Sequence, residues 1–402
     1  MPEEVSPLLA WQRKQVEKNR TSAPLDYLPW KDCFFSGSLE TKALGEDLLK
    51  KGKVGCLILA GGQGSRLGKS VPKGTLGVSV IREKSLFQLF FERILYSELL
   101  YGKAIPVAIM TSFANHEATV SFLKEKKYFG LSPDQVFFFK QEDLPFLSCE
   151  PVGEEIHFLE ESGQIAKGPS GNGDALRLFY ESGLYAIFQG RGVEHLSVIP
   201  VDNALANPVD VEFLGFHIKR QVEVSVKSII RNTEQEKVGL LVSENSQPRV
   251  VEYSEKQADL SFKFANIGIY CFSFTFILHL QEKKVDLPWH YIRRKVHGHF
   301  CWKFERFLFD VFLYAKKIDV FVEPREICFS PLKNEIGEDS FSTVKKDLLA
   351  LDRKIYKELL GQSPPVEIFE LSLAFHYLES ARQTLMKKRD WVEGEYVDYV
   401  GC

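Results

Sequence analysis

Several features that would decide a function class at once are missing from this chain. Its seven cysteines (Cys33, Cys56, Cys149, Cys271, Cys301, Cys328 and Cys402) include no C-x-x-C pair, and an odd number cannot all pair within one chain. A disulfide framework is therefore not expected, and a reduced, cytoplasmic setting is the simplest reading. Neither sign of charge prevails: the formal net charge of −3 gives no electrostatic basis for a nucleic-acid or membrane-surface partner. Any anion site must be a local cluster. The opening "MPEEVSPLLAWQRKQ" has no basic segment leading into an apolar one, so secretion is not expected. Internal repeats and low-complexity tracts are absent as well. One stretch, "FANIGIYCFSFTFILHLQ" at 264–281, lacks Asp, Glu, Lys and Arg over eighteen residues. With Asn266, Ser273, Thr275, His279 and Gln281 inside it, it reads as a strand and a short helix of a core, and no membrane span is expected.

What is present describes a packed globular protein. A hydrophobic fraction of 45% with 26% charged residues and 32 phenylalanines excludes a disordered or fibrous chain, and 402 residues suffice for two or three domains. Residues 1–50 read as a helical, charged N-terminal extension with a Pro- and Trp-containing break near Pro24–Trp30. Residues 51–340 read as the central α/β unit, and 341–402 as a small helical C-terminal region broken at "SPP", 363–365. Within the central unit, strands are expected over 54–60, 105–111, 135–140 and 196–201, alternating with helices over 85–101, 116–127 and 173–188. That alternation is the pattern of βαβ units on a largely parallel α/β sheet, which presents ligands beyond the carboxyl ends of its strands. From 222 the chain becomes richer in strands ("VEVSVKSII", "VGLLVS", "RVVEYSE", "FANIGIYCF"); a long helix is then expected over 304–318, followed by a strand "DVFVE".

Behind the first of these strands stands "LAGGQGSRLGKSVPKG", 59–74, with glycines at 61, 62, 64, 68 and 74. Bare backbone after a strand lets N–H groups approach a phosphate. Two familiar spacings fail. A dinucleotide fingerprint would need its third glycine at Leu67, and a Walker A motif would need its first at Gln63. The remaining pattern, G-G-x-G-x-R-L-G followed by V-P-K-G, suits a nucleoside triphosphate, with Arg66 as a planar clamp and Lys73 as a compact charge. The alternative is an ordinary glycine turn with solvated basic residues.

This stretch closely resembles the signature L-A-G-G-Q-G-T-R-L-G … P-K-G of the eukaryotic-type UDP-sugar pyrophosphorylases, and specifically the UDP-N-acetylglucosamine pyrophosphorylase family. The similarity continues in order through "PSGNGDA" (169–175), "IPVDNALANP" (199–208), "VVEYSE" (250–255), "FANIGIY" (264–270), "KFERFLFDVFLYAKK" (303–317) and "FSPLKN" (329–334). It implies a Rossmann-like, GT-A-like nucleotidyltransferase fold with a mixed, mainly parallel sheet. It also implies a reaction in which a sugar 1-phosphate attacks the α-phosphate of UTP and pyrophosphate leaves.

The resemblance also implies roles. Leu59, Ala60, Gly61 and Gly62 would line the uridine side, Gln141 in "FKQEDLP" would read the uracil edge, and Gly171 would lie against the base. Arg66, Lys73, Lys303 and Lys333 would be the catalytic cations for triphosphate and sugar phosphate. Asn172, Glu252, Tyr253 and Asn266 would contact the sugar. Asp202, at the end of "LSVIPVD", would hold Mg²⁺ with phosphate oxygens, as this ion prefers one or two carboxylates plus waters. Partners would be the two small substrates, with no nucleic acid and no membrane, in a monomer or weak homo-oligomer.

Two motifs depart from the family. Pro169-Ser170-Gly171-Asn172-Gly173-Asp174 replaces P-D-G-N-G-G, and "FANIGIY" replaces G-N-I-A-N-H; the chain is also shorter than eukaryotic members, chiefly toward the C-terminus. Both changes fall on the sugar side. The expected product is UDP-N-acetylglucosamine; the alternatives are glucose 1-phosphate, galactose 1-phosphate or several sugars as acceptor, and a non-catalytic nucleotide-sugar binding protein.

Overall fold

In the computed structural model the described residues are 5–19, 27–62, 64, 67–68, 71–149, 157–161, 163–244, 247–252, 259–296 and 298–399. The strands that matter for the site are β1 (Cys33–Phe35), β2 (Val54–Leu59), β3 (Val107–Thr111), β4 (Val136–Lys140), β5 (His195–Pro200), β6 (Val224–Ile230), β7 (Gly239–Glu244), β8 (Gln247–Val251), β9 (Phe264–Ser273), β10 (His290–Val296), β11 (His299–Glu305) and β12 (Ile318–Val322). The main helices are α1 (Val5–Asn19), α2 (Leu39–Lys50), α3 (Leu86–Tyr101), α4 (His116–Glu125), α5 (Ala175–Glu181), α6 (Leu184–Gly190), α7 (Val211–Arg220), α8 (Phe274–Glu282) and α9 (Phe341–Leu360). The central sheet runs β1-β12-β6-β9-β5-β2-β3-β4, with β7 branching from β9 and β8 pairing to β7. Along that path every pairing is parallel except those of β9 with β6 and β5. The mixed, mainly parallel α/β sheet is thus present.

Strand β2 shows why the sheet is covered on both faces. All six residues of "VGCLIL" are buried, as expected of a parallel strand between two helical layers. Cys56 and Ile58 join a core with residues of α2, α3 and α7, whereas Leu57 and Leu59 join the opposite core with α5, α6 and α8. Successive side chains point to opposite faces, so one short run feeds both cores. Helix starts are fixed by local chemistry: Ser85 Oγ accepts from Gln88 N at 3.1 Å to open α3, and Asp210 Oδ1 accepts from Glu212 N and Phe213 N to open α7.

Three expectations need correction. The helix expected over 304–318 does not form: the segment ends β11, passes through a short 3-10 turn at Leu308–Tyr314, and enters β12. Its backbone is claimed by distant partners, since Arg306 N donates to Ser170 O and Arg306 O accepts from Gly173 N, both at 2.8 Å. The single helix expected over 173–188 is two, α5 and α6, parted at Gly183. The N-terminal fifty residues are not purely helical: Leu28–Pro29 pairs with β7, β1 forms an edge of the main sheet, and α1 packs Leu9 and Val16 against Leu147, Phe158 and Phe304. Toward the other end, Phe369–Leu371 and Glu395–Val397 form a parallel strand pair beside α9, around a separate core that includes Tyr356, Phe375 and Leu385. "FANIGIYCFSFTFILHLQ" is β9 followed by α8, and among the described residues no helix is long and apolar enough to cross a membrane.

Helices α2 and α7 touch backbone to backbone through glycine. A Cβ added at Gly45 would stand 1.7 Å from Val211 O, and one at Gly215 would stand 1.7 Å from Thr41 O. Gly215→Ala should therefore cost about 1–3 kcal/mol or more despite its better helix propensity, because neither helix can yield without moving the sheet. A urea midpoint at or above that of the parent would refute this packing constraint.

At the amino end of β5, His195 and His217 meet edge to face with ring centroids 5.1 Å apart. Burial is the first cause that holds His195 down to about 4 and His217 down to about 3, with His195 adding to the effect on His217. Both folded values lie below the unfolded one near 6.5, so their contribution to stability is full above that pH and is lost as pH falls toward the folded values. At pH 5 the loss amounts to about 2 kcal/mol per histidine. His195→Leu should reduce the stability difference between pH 7 and pH 5 by about that amount; an unchanged difference in denaturant titrations would exclude His195 as the proton acceptor.

Candidate active site

Because β2, β3, β4 and β5 run parallel, their carboxyl ends deliver four loops to one edge of the sheet. The glycine stretch leaves β2 there. Ala60 N donates to Met110 O at 2.7 Å, and the buried Asn115 Nδ2 donates to both Ala60 O (2.8 Å) and Gly62 O (3.2 Å). Asn115 Oδ1 in turn accepts from Ser112 N at 2.8 Å. Asn115 was not anticipated from the sequence, although an Asn directly following the turn after β3 was a readable signal. Gln141, almost fully buried just past β4, lies on the Gly61 backbone: a Cβ at Gly61 would be 2.3 Å from Gln141 Nε2. A side chain at 61 would therefore have to push the Gln141 carboxamide aside. Leu59 closes β2 below this contact. Arg66 and Tyr253 lie outside the described residues.

Lys73 begins a 3-10 turn and reaches across the edge. Its Nζ is 3.3 Å from Asp202 Oδ2 and donates to Leu332 O, also at 3.3 Å. Leu332 N donates back to Asp202 O at 2.7 Å, so the stretches around 73, 202 and 332 form one knot. Lys333, next in sequence, lies 3.3 Å from Asp339 and 5.6 Å from the centre of the Phe329 ring.

Beyond the knot lies a cavity of about 470 Å³ whose lining takes in Asp202, Glu252, Asn266 and Lys333 of the expected residues. Asn266 Oδ1 accepts from Tyr270 Oη at 3.0 Å, which fixes its carboxamide. Lys303 reaches the same wall through Glu305, at 2.6 Å, and Glu305 lines the cavity. Lys303 also faces the Asp143 carboxyl, which burial pushes up against the opposing pull of Lys303 and Lys167. Two further cations line the cavity, Lys237 and Arg294, and sequence reasoning missed both. Their signal was faint, because Arg294 belongs to the charged run "RRK" of β10.

Gly171 and Asn172 sit on the loop clamped to β11. Gly171 bridges to Arg306, and Asn172 Oδ1 accepts from Leu308 N at 3.0 Å. Asn172 therefore has its oxygen committed to the loop and is absent from the cavity lining. Asp174, the acid displaced relative to the family motif, pairs with Arg177 (3.0 Å) and Arg306 (3.3 Å). In this chain it serves loop geometry. Among the described residues no group of three or more His, Cys, Asp or Glu side chains could cage a metal. One carboxylate, Asp202, beside an ammonium fits an ion that arrives on phosphate oxygens and keeps its waters.

The model of the family described as UTP–glucose-1-phosphate uridylyltransferase matches residues 10–275. A Schizosaccharomyces pombe protein named as a probable UDP-N-acetylglucosamine pyrophosphorylase is 33% identical over 344 residues, 76% of this chain and 72% of its own. The UDP-N-acetylglucosamine pyrophosphorylase of Saccharomyces cerevisiae is 32% identical over 328 residues, 73% of this chain and 67% of its own. The uridine diphosphate N-acetylglucosamine pyrophosphorylase of Trypanosoma brucei, solved with an inhibitor, superposes with a TM-score of 0.79 at 25% identity, covering 96% of this chain and 88% of the other. None of these supports the non-catalytic alternative. The matched residues, the sheet and the loops at its carboxyl edge agree, and the chain belongs to the UDP-sugar pyrophosphorylase family of UTP:sugar-1-phosphate uridylyltransferases.

Proposed function

We propose that the chain forms UDP-N-acetylglucosamine and pyrophosphate from UTP and N-acetylglucosamine 1-phosphate. The observation that carries this reading is that Lys73 meets Asp202, which together with Lys333 lines a cavity large enough for a sugar. A phosphate oxygen of the sugar 1-phosphate attacks the α-phosphorus of UTP, the bond from that phosphorus to the bridging oxygen of the β-phosphate breaks, and pyrophosphate leaves. The attacking group is already anionic, so no protein nucleophile is needed. Rate enhancement comes from alignment and from charge placed where it develops.

Lys73 and Arg66 serve the triphosphate, while Lys303 and Lys333 serve the sugar phosphate and the α-phosphate. Gln141 reads the uracil edge, with Leu59, Ala60, Gly61, Gly62 and Gly171 around the nucleoside. Glu252, Tyr253, Asn266 and Asn172 are assigned to the sugar side. Mg²⁺, held by Asp202, supplies neutralisation of phosphate charge when bound. The chain acts on small molecules in the cytoplasm without nucleic acid or membrane, as a monomer or weak homo-oligomer. Sugar identity rests on what the relatives are named for, and glucose 1-phosphate and galactose 1-phosphate are the competing acceptors.

Pyrophosphate release from UTP and Mg²⁺ with a panel of sugar 1-phosphates tests the reading. N-acetylglucosamine 1-phosphate should give the highest kcat/KM, and Lys73→Ala should lower kcat about 100-fold or more in a folded protein, because a cation on the triphosphate gains most as charge builds on the leaving pyrophosphate. Higher kcat/KM with glucose 1-phosphate would change the acceptor, and near-parental kcat in Lys73→Ala would remove that lysine from the triphosphate.

Base choice gives a separate check. A carboxamide can pair with the 3-NH and 4-oxo edge of uracil, whereas the 4-amino group of cytosine turns an acceptor into a donor and leaves polar groups unpaired. UTP should therefore be preferred over CTP, and Gln141→Ala should narrow that ratio by about tenfold or more while changing the order among sugar phosphates little. A changed sugar preference with an unchanged nucleotide preference would mean the two half-sites are assigned the wrong way round.

A further inference from the structure

We propose that the C-terminal unit holds the Lys73 loop in its working position, with Glu370 as the positioning residue. The inference rests on the assignment of Lys73 to the triphosphate. Glu370 lies on the strand Phe369–Leu371 and is almost fully buried, yet no cation pairs with its carboxylate in the described contacts; Glu370 Oε2 instead accepts from Ile81 N at 2.6 Å and Arg82 N at 2.9 Å. Those amides form the tip of a tight loop closed by a bridge between Gly77 and Ser85, with Val78 N donating to Lys84 O at 2.9 Å. A buried carboxylate satisfied by two backbone N–H groups fixes both the loop and the strand that carries it.

A second contact reinforces the first. Lys84, also buried, donates to Glu92 Oε2 at 2.7 Å and to Tyr396 Oη at 2.9 Å, while the Arg82 guanidinium lies 4.7 Å from the centre of the Tyr396 ring. From the closed base of the loop the connection to Lys73 is short and rigid. Leu86 N donates to Leu76 O at 3.2 Å and Leu76 N to Lys73 O at 3.1 Å, and Gly74 is pressed under Phe87, where an added Cβ would stand 2.1 Å from the ring. Displacing Ile81–Arg82 therefore shifts the turn that aims Lys73 at Asp202 and Leu332, and a small misplacement of a charged group at a reacting centre is expensive in rate.

The test compares Glu370→Ala, Glu370→Gln and Tyr396→Phe with Leu385→Ala, which disturbs the C-terminal core without touching the loop. Hydrogen exchange of the peptide spanning 77–86 is read alongside steady-state kinetics. Glu370→Ala should quicken exchange at Ile81 and Arg82 and lower kcat about tenfold, with KM for the sugar 1-phosphate within about twofold of the parent. Glu370→Gln keeps an acceptor oxygen and should restore both readouts, and Tyr396→Phe should fall between. Leu385→Ala should lower the melting temperature and leave kcat unchanged below it. Unaltered exchange in Glu370→Ala, or an equal fall of kcat in Leu385→Ala, overturns the proposal. A parent protein inactive with every sugar phosphate would refute the functional reading, while the exchange comparison still decides whether Glu370 holds the loop.

Discussion

The site depends on where one ammonium group is held. Lys73 Nζ stands between the Asp202 carboxylate and the Leu332 carbonyl, and by doing so it joins three stretches that are far apart in the chain. The end of β5 and the segment that follows β12 are already tied by Asn203, whose side chain bonds Cys328 O and Ser330 N, and Lys73 adds the loop after β2 to that pair. A lysine in that place is a compact charge with three donors, so it can satisfy two protein partners and still present a face to an anionic ligand. The backbone bond from Leu332 N to Asp202 O locks the geometry from below.

The rest of the fold is arranged to keep that edge rigid. Parallel strands buried on both faces give a platform that cannot slide, and the register of β2 against β5 runs unbroken from His195↔Val54 to Pro200↔Leu59. Beneath the loop after Asp202, Arg93 of α3 donates to Ala204 O at 3.0 Å and Ala206 O at 2.9 Å, satisfying carbonyls that a turn would leave bare. Deeper still, Lys227 of β6 is buried between Asp210 and Glu323, a paired charge triad that ties α7 to the end of β12. Burial works against charge on all three; the Lys227 ammonium nonetheless holds Asp210 below the usual carboxylate range, whereas burial leaves Glu323 above it.

The two ends of the site differ in character, and the difference bears on specificity. At the carboxyl end of β2 the packing is tight: Gln141 on Gly61, and Asn115 on Ala60 and Gly62, leave little freedom. Beyond it lies an open cavity lined by Asp202, Glu252, Glu305 and Asp339 together with Lys237, Arg294 and Lys333. A pocket that sets several carboxylates and cations among apolar walls such as Ile267, Ile292, Phe307 and Phe329 orients a ligand by hydrogen bonding to its hydroxyl and amide groups. Of the two departures from the family motif only the segment around Asn266 lines this cavity; the other, with Asp174, is absorbed into the clamp with Arg177 and Arg306.

By itself the sequence determined β2 to β5 and the helices α3 and α4 between them, since apolar runs and amphipathic runs of period 3.6 are local properties. It also determined the glycine stretch, because bare backbone beside a strand end has few other uses, and the family, because the motifs keep their order. Other features were decided only by tertiary structure. "FERFLFDVFLYAKKI" has the composition of a helix but spends its backbone on Ser170 and Gly173, partners more than a hundred residues away, and no local signal reports such a claim. The roles of Asn115 as the brace of the glycine turn, of Asp174 as a clamp and of Glu370 as a cap on Ile81 and Arg82 have the same origin. Each is a single polar side chain whose meaning is set by the backbone group it meets, and that meeting exists only once the sheet has brought the loops together.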